Sequence, residues 1–152
     1  MDSMTYEMLE PVIREKLSTG GKIIIKPKGT SMLPLIRQGV DEVELSSPQG
    51  VRLKKYDIPF YKRKNGQFVL HRIVGVKKDS YILCGDNQTD LEFNITDDMI
   101  IAVVTRINRG GEFFDISNKQ YLRYCKRLVA KKTRQRFMIK IKSIIKKILF
   151  IK

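Results

Sequence analysis

The sequence predicts a mainly β protein: a small curled β-sheet or partial barrel with an N-terminal helix and a basic, helical C-terminal tail. Three observations predict it. Short β-branched or aromatic runs, separated by Gly, Pro, Asn and Asp, fill residues 22–116. Apolar residues recur at helical spacing at both ends of the chain. Basic residues concentrate in the last part of the chain.

Residues 1–21 are predicted to form the N-terminal helix. Its apolar positions are Met4, Met8, Leu9, Val12, Ile13 and Leu17. Gly20 and Gly21 are expected to end the helix, because glycine readily adopts the left-handed conformation that follows a helix. Pro11 is expected to interrupt it.

Residues 22–116 are predicted to form the β domain. Strands are expected at 23–25, 43–45, 58–61, 68–76, 81–83 and 100–107, with a further one at 112–116. So many short strands in so short a segment are typical of a curled sheet or small barrel. The 152 residues, 42% of them hydrophobic, suffice for one core without disulfides or metals. Two cysteines and a single histidine provide neither a disulfide framework nor a zinc site, so we predict no cofactor and no metal.

Residues 117–152 are predicted to be a basic amphipathic tail. Ser117 and Gln120 have the spacing of a capping box, and apolar residues follow at helical spacing. Residues 1–118 contain 17 Lys and Arg against 16 Asp and Glu, whereas residues 119–152 contain 13 Lys and Arg and no acidic residue. This asymmetry is typical of an appended segment that binds an anionic surface.

The last fifteen residues or so of the tail separate apolar from basic side chains. On a helix, one side would carry Phe137, Met138, Ile141, Ile144, Ile145, Ile148, Leu149 and Ile151, with Lys140, Lys142, Lys146 and Lys147 opposite and with Ile139 and Phe150 as exceptions. The pattern favours binding to an anionic membrane. Packing on the protein's own body is the alternative. Nucleic acid is the third option and is less favoured, because phosphate contacts do not need an apolar stripe.

The sequence also bears on location. No run approaches the eighteen or so apolar residues of a spanning helix, and the first twenty residues carry acidic side chains without an apolar signal segment. We therefore expect a cytoplasmic protein. The basic tail leaves open whether it is peripheral on the cytoplasmic face of the membrane.

Three segments carry residues suited to catalysis. Ser31 follows a glycine and precedes Pro34, a pattern that bends the chain and can expose a nucleophilic hydroxyl beside its own backbone N–H. His71 is the only histidine and lies in an apolar strand pattern, so it is the one imidazole base available. Asp86 and Asp90 follow Gly85, and either one could orient His71 and stabilise its charged form.

Taken in order, these segments resemble the signal peptidase family of serine peptidases, whose clan also includes the LexA-type self-cleaving repressors. Residues 29–34, with the sequence Gly-Thr-Ser-Met-Leu-Pro, are similar to the family's nucleophile motif. Residues 69–74 are similar to the motif of the general base, and Gly85-Asp86-Asn87 to the Gly-Asp-Asn motif. A histidine at the base position is typical of the archaeal and endoplasmic-reticulum type. The resemblance implies a Ser31–His71 pair, a supporting aspartate, and cleavage of a peptide or precursor protein.

Two other functions fit the same residues. One is a regulator on the same fold, either non-catalytic or self-cleaving like the repressors. The other is a membrane-surface adaptor in which the β domain is only a scaffold. Two departures from the family pattern leave site roles unassigned. Gly39-Val40-Asp41 replaces a Gly-Asp pair, so the resemblance assigns no role to Asp41. Gly29 stands where some members have a hydroxyl residue, so the second oxyanion donor is not identified.

Overall fold

The computed structural model describes residues 3–149. Its first element is helix α1, Ser3–Ser18. The Gly20 N–H donates to the Leu17 carbonyl at 3.1 Å, and the Gly21 N–H donates to the Lys16 carbonyl at 2.9 Å. These two bonds form a Schellman cap. The glycine pair therefore ends the helix, as the sequence predicts.

Nine β strands follow in the described part of the chain. In chain order they are β1 (Ile23–Ile25), β2 (Glu42–Ser46), β3 (Pro59–Lys62), β4 (Phe68–Leu70), β5 (Arg72–Val76), β6 (Tyr81–Cys84), β7 (Glu92–Ile95), β8 (Ile100–Arg109) and β9 (Glu112–Asp115). The first sheet has the order β1-β2-β8-β3-β4, with β9 also paired to β8. The second sheet has the order β5-β6-β7. All pairs are antiparallel.

Buried apolar side chains join the two sheets. Tyr61 and Ile100 come from the first sheet, while Ile73, Tyr81, Leu83 and Ile95 come from the second, and Leu53 comes from the segment before β3. All are buried, so removal of their apolar surface from water holds the sheets together. The prediction of a mainly β protein with a helix at each end is confirmed, and the strands form two open antiparallel sheets.

Three local expectations differ from the structure. Helix α1 continues through Pro11 rather than breaking there. Tyr6, Ile13 and Leu17 are buried on either side of the proline, and this packing offsets the helical hydrogen bond that the proline removes. The strand expected at 68–76 is two strands, β4 and β5, which belong to different sheets and separate at His71. Strand β7 was not predicted, because Glu92 and Asn94 both disfavour strands.

The chain divides into two compact units, Met1–Asn118 and Lys119–Lys152. The second contains helix α2, Lys119–Leu149, of 31 residues. The helix begins two residues after Ser117, where the tail was expected to start. Phe150 and Ile151, which the sequence assigns to the tail helix, lie outside the described residues. Across residues 3–149, neither helix has both the length and the apolar character needed to cross a bilayer.

Candidate active site

Ser31 lies in the loop that joins β1 to β2. The loop bends at Gly29, whose φ of 92° lies in the left-handed region that favours glycine. The Gly29 N–H donates to the Gln38 side-chain oxygen at 3.1 Å. Met32 and Ile36 of this loop are buried, so their apolar side chains hold the loop against the protein core. The partly exposed Ser31 therefore stands on a fixed bend, as its neighbours in the sequence predict.

The Gly-Asp-Asn segment holds the backbone of this loop. The Asn87 N–H donates to the Ser31 carbonyl at 2.8 Å. The Asn87 side-chain amide donates to the Thr30 carbonyl at 3.3 Å. A Cβ atom on Gly85 would lie 2.7 Å from the Ser31 carbonyl oxygen, closer than real contacts allow. Gly85 and Asn87 therefore fix the position of the serine from a second loop.

His71 occupies the single residue between β4 and β5, where the chain passes from the first sheet to the second. Its side chain is buried, with 3% exposed. Nδ1 lies 2.8 Å from Oε1 of Glu92, and the Tyr61 hydroxyl is 3.4 Å from the same nitrogen. A carboxylate only accepts hydrogen bonds, so Nδ1 carries the proton that points to Glu92. In the neutral form of the imidazole, Nε2 then carries the lone pair that a general base needs.

Glu92 is the centre of a hydrogen-bonded network that also contains His71, Arg63 and Tyr61. Burial raises the pKa of its carboxyl, but hydrogen bonds from His71, Arg63 and Tyr61 outweigh burial and hold that pKa well below its usual range. Arg63 contributes two such bonds, one of them from Nε at 2.8 Å. Burial, followed by the Glu92 charge, raises the pKa of the Tyr61 hydroxyl. Glu92 is therefore ionised and Tyr61 protonated at neutral pH.

Asp86 makes a different contact from the one expected. Its carboxylate accepts two hydrogen bonds from Arg72, from Nε at 2.8 Å and from Nη2 at 2.6 Å. Both side chains are fully buried. Arg72 also donates to the Tyr56 carbonyl at 3.0 Å. Asp86 therefore connects its loop to Arg72 on β5 and not to His71. The carboxylate that contacts the imidazole is that of Glu92.

Asp90 and Asp41 also lie apart from the imidazole contact. Asp90 is exposed and lines a shallow depression beside Arg63 and Glu92. Asp41 is fully buried at the end of the Ser31 loop. It accepts the Arg37 N–H at 2.9 Å, and the guanidinium of Arg109 also binds it. Burial raises the pKa of Asp41, but these partners outweigh burial and lower it. Asp41 is thus hydrogen-bonded to Arg37 within the loop and to Arg109 on β8.

Ser31 and His71 line the same cavity, which has a volume of about 300 Å³. Much of the remaining lining is apolar or aromatic, including Tyr6, Ile25 and Phe68. Lys28, Arg63 and Gln88 add polar groups. A cavity of this composition can accept an apolar side chain of a peptide while polar groups at its edge bind the backbone.

Comparisons with protein-family models, curated proteins and solved structures found no match.

Ser31 and His71 thus line the same cavity, and the structure adds residues around the imidazole that the sequence did not identify. These are Glu92, Arg63 and Tyr61. Glu92 stands beside Leu91 and Phe93, and an acidic residue between apolar neighbours is the one signal that could have drawn attention to it. Among residues 3–149, no group of three or more His, Cys, Asp and Glu side chains could hold a metal ion.

Proposed function

We propose that this chain is a serine endopeptidase with Ser31 as nucleophile, His71 as general base and Glu92 as the residue that orients His71. One observation carries the proposal. Ser31 and His71 line one cavity, and Nδ1 of the imidazole lies 2.8 Å from the ionised carboxylate of Glu92. Nucleophile, base and orienting acid are the parts of a serine peptidase triad, which is recognised by geometry rather than by sequence position.

The first half of the reaction is acylation. Ser31 Oγ attacks the carbonyl carbon of the scissile peptide bond while His71 Nε2 takes the hydroxyl proton. The carbonyl electron pair moves onto oxygen and then returns, breaking the C–N bond. His71 gives its proton to the leaving amine. Glu92 stabilises the imidazolium between these two transfers, because its negative charge lies against Nδ1–H.

The second half is hydrolysis of the acyl-enzyme. Water occupies the place of the departed amine, loses a proton to His71 Nε2 and attacks the ester carbon. The ester bond to Ser31 breaks, and His71 returns the proton to Ser31 Oγ. The products are a new carboxylate and a free enzyme, so no cofactor takes part in these steps.

We also propose that the fold is of the signal peptidase type with a histidine base. The order of the three motifs supports this. So do the two hydrogen bonds that Asn87 of the Gly-Asp-Asn segment donates to the carbonyls of Ser31 and Thr30. The substrate is then a peptide or precursor protein that binds in extended form across the cavity. An apolar side chain of the substrate enters between Tyr6, Ile25 and Phe68.

The test is cleavage of a library of peptides by the purified protein, read by mass spectrometry. Ser31→Ala and His71→Ala should each lower kcat/KM by on the order of 10⁴-fold. Ser117→Ala is the matched control, because it removes the same hydroxyl from an exposed position. It should cleave like the wild type.

Equal cleavage by all four proteins would show that a contaminant or another site is responsible, and would refute the proposal. Absence of cleavage of any peptide, together with absence of a covalent adduct at Ser31, would favour the non-catalytic regulator.

A further inference from the structure

The C-terminal half of helix α2 exposes a set of large apolar side chains. Phe137 is 64% exposed, Ile148 65% and Leu149 71%. Met138, Ile144 and Ile145 are each close to half exposed. At 100° per residue, all six fall within less than half of the helix circumference, together with Ile141. An apolar strip of this size on an exposed helix indicates a partner.

The rest of the circumference of this segment is basic apart from Ile139 and Ser143. Lys140 and Lys142 border the apolar strip on its two sides, and Lys146 and Lys147 lie farther from it. The whole of α2 contains no Asp or Glu and has twelve Lys and Arg. The partner must therefore satisfy two conditions at once: it must be anionic, and it must offer an apolar medium beside the anionic groups.

An anionic bilayer satisfies both conditions. Its headgroups attract the lysines, and the boundary with the acyl chains accepts the apolar strip when the helix lies in the plane of the interface. Nucleic acid satisfies only the first condition, because phosphates do not bury a strip of Ile and Leu. The charge and the exposed strip together favour the lipid surface.

We propose that residues 137–149 form an interfacial helix that attaches the chain to an anionic lipid surface. The strip of Phe137, Met138, Ile141, Ile144, Ile145, Ile148 and Leu149 faces the acyl chains, and the lysines contact the headgroups. This attachment does not depend on the chemistry proposed for Ser31.

Sedimentation with vesicles tests the proposal, using phosphatidylcholine vesicles with and without phosphatidylglycerol. The full-length protein should sediment with the anionic vesicles and stay in the supernatant with the neutral ones. Ser31→Ala should bind as the wild type does, which separates failure of this proposal from failure of the peptidase assignment.

The chain offers a matched pair of substitutions. Ile148 and Ile139 are nine residues apart, so they lie on opposite sides of the helix, and they are 65% and 57% exposed. Ile148→Ser should weaken binding to anionic vesicles roughly tenfold, because one large apolar side chain no longer enters the interface. Ile139→Ser makes the same chemical change off the strip and should bind within about twofold of the wild type. Circular dichroism of both variants shows whether the helix is retained.

Several outcomes would overturn the proposal. One is equal binding to anionic and neutral vesicles, or to neither. Another is an equal loss for the two isoleucine variants when both retain the helix. A third is binding to duplex DNA that falls steeply with salt and is unchanged in Ile148→Ser, with no binding to vesicles, which would assign the tail to nucleic acid.

Discussion

The Glu92 carboxylate is ionised and lies against the buried imidazole of His71, with Oε1 2.8 Å from Nδ1. Asp86 and Asp90, the two aspartates that follow Gly85, do not make this contact. The sequence gives no direct sign of which carboxylate reaches a histidine, because that depends on how two sheets pack. Strand β7 places the Glu92 carboxylate at His71, and this contact is seen only in the folded structure.

Glu92→Gln should lower kcat roughly 10²- to 10⁴-fold with little change in KM, because the amide still accepts from Nδ1 but no longer stabilises the imidazolium. Glu92→Asp keeps the charge and should recover part of the loss. Steady-state peptide cleavage measures both. Asp90→Asn is the control and should stay within about threefold of the wild type. A larger loss for Asp90→Asn than for Glu92→Gln would reverse the assignment.

Asp86 and Arg72 form a fully buried ion pair, so the pair matters for stability. Asp86→Asn removes the carboxylate charge that is hydrogen-bonded to the buried guanidinium and should lower the free energy of unfolding by about 3–5 kcal/mol. Urea unfolding followed by circular dichroism measures this. Asp79→Asn, at an exposed position, should change it by less than about 0.5 kcal/mol. Equal effects of the two substitutions would show that the buried pair is not a stability determinant.

At the scale of the elements, the loop with Gly85 and the loop with Ser31 act as one unit. Gly85→Ala would place a Cβ against the Ser31 carbonyl and the Gln88 side-chain oxygen. The serine must then move, so we expect at least a tenfold loss of kcat/KM. Gly75→Ala is the control, since the nearest atom to its Cβ would be the end of a flexible isoleucine side chain, at 3.2 Å. Peptide cleavage that is equal in both variants would contradict the coupling of the loops.

The elements also show what the sequence could and could not predict. Most strands and both helices follow from apolar periodicity, and the Gly20-Gly21 pair marks the end of α1. Apolar periodicity did not predict the change of sheet at His71, because residues 68–76 form one continuous strand pattern. No glycine, proline or turn residue marks His71 as the point where β4 ends and β5 begins. Strand β7 was missed because Glu92 and Asn94 both disfavour strands, and Asn94 keeps a positive φ of 59° within it. Its pairing with β6 outweighs that local preference.

At the scale of the whole molecule, acid stability depends on carboxylates paired across strands. Glu44 is buried on β2 and accepts hydrogen bonds from Arg106, Lys22 and Thr105. The bonds from Arg106 come first among the causes that lower its pKa from 4.5 to about 2. Because the folded pKa is below the unfolded one, this contribution to stability is complete above pH 4.5 and is lost as the pH falls toward 2.

Glu44→Gln should therefore be less stable than the wild type at neutral pH, and the difference should narrow as the pH falls from 4.5 toward 2. Urea unfolding at a series of pH values measures the difference. Glu112→Gln, at an exposed position, should give a small difference at every pH. A difference between Glu44→Gln and the wild type that is constant with pH would contradict the assignment of Glu44.

The whole molecule combines a candidate site and a basic tail. The sequence indicated where both lie along the chain but not the contacts around them. The motif order selected Ser31 and His71 as candidate site residues, and the charge count marked the basic tail. The network behind His71 needed tertiary structure, because Tyr61, Arg63 and Glu92 come from two different sheets or their edges.

Incubation with a peptidyl electrophile that traps serine nucleophiles, followed by intact mass measurement, tests whether His71 activates Ser31. We expect one adduct, mapped to Ser31 by peptide sequencing, formed at least a hundredfold more slowly in His71→Ala and unchanged in Ser117→Ala. An adduct on another serine, or labelling of Ser31 at the same rate with and without His71, would refute the proposed pair.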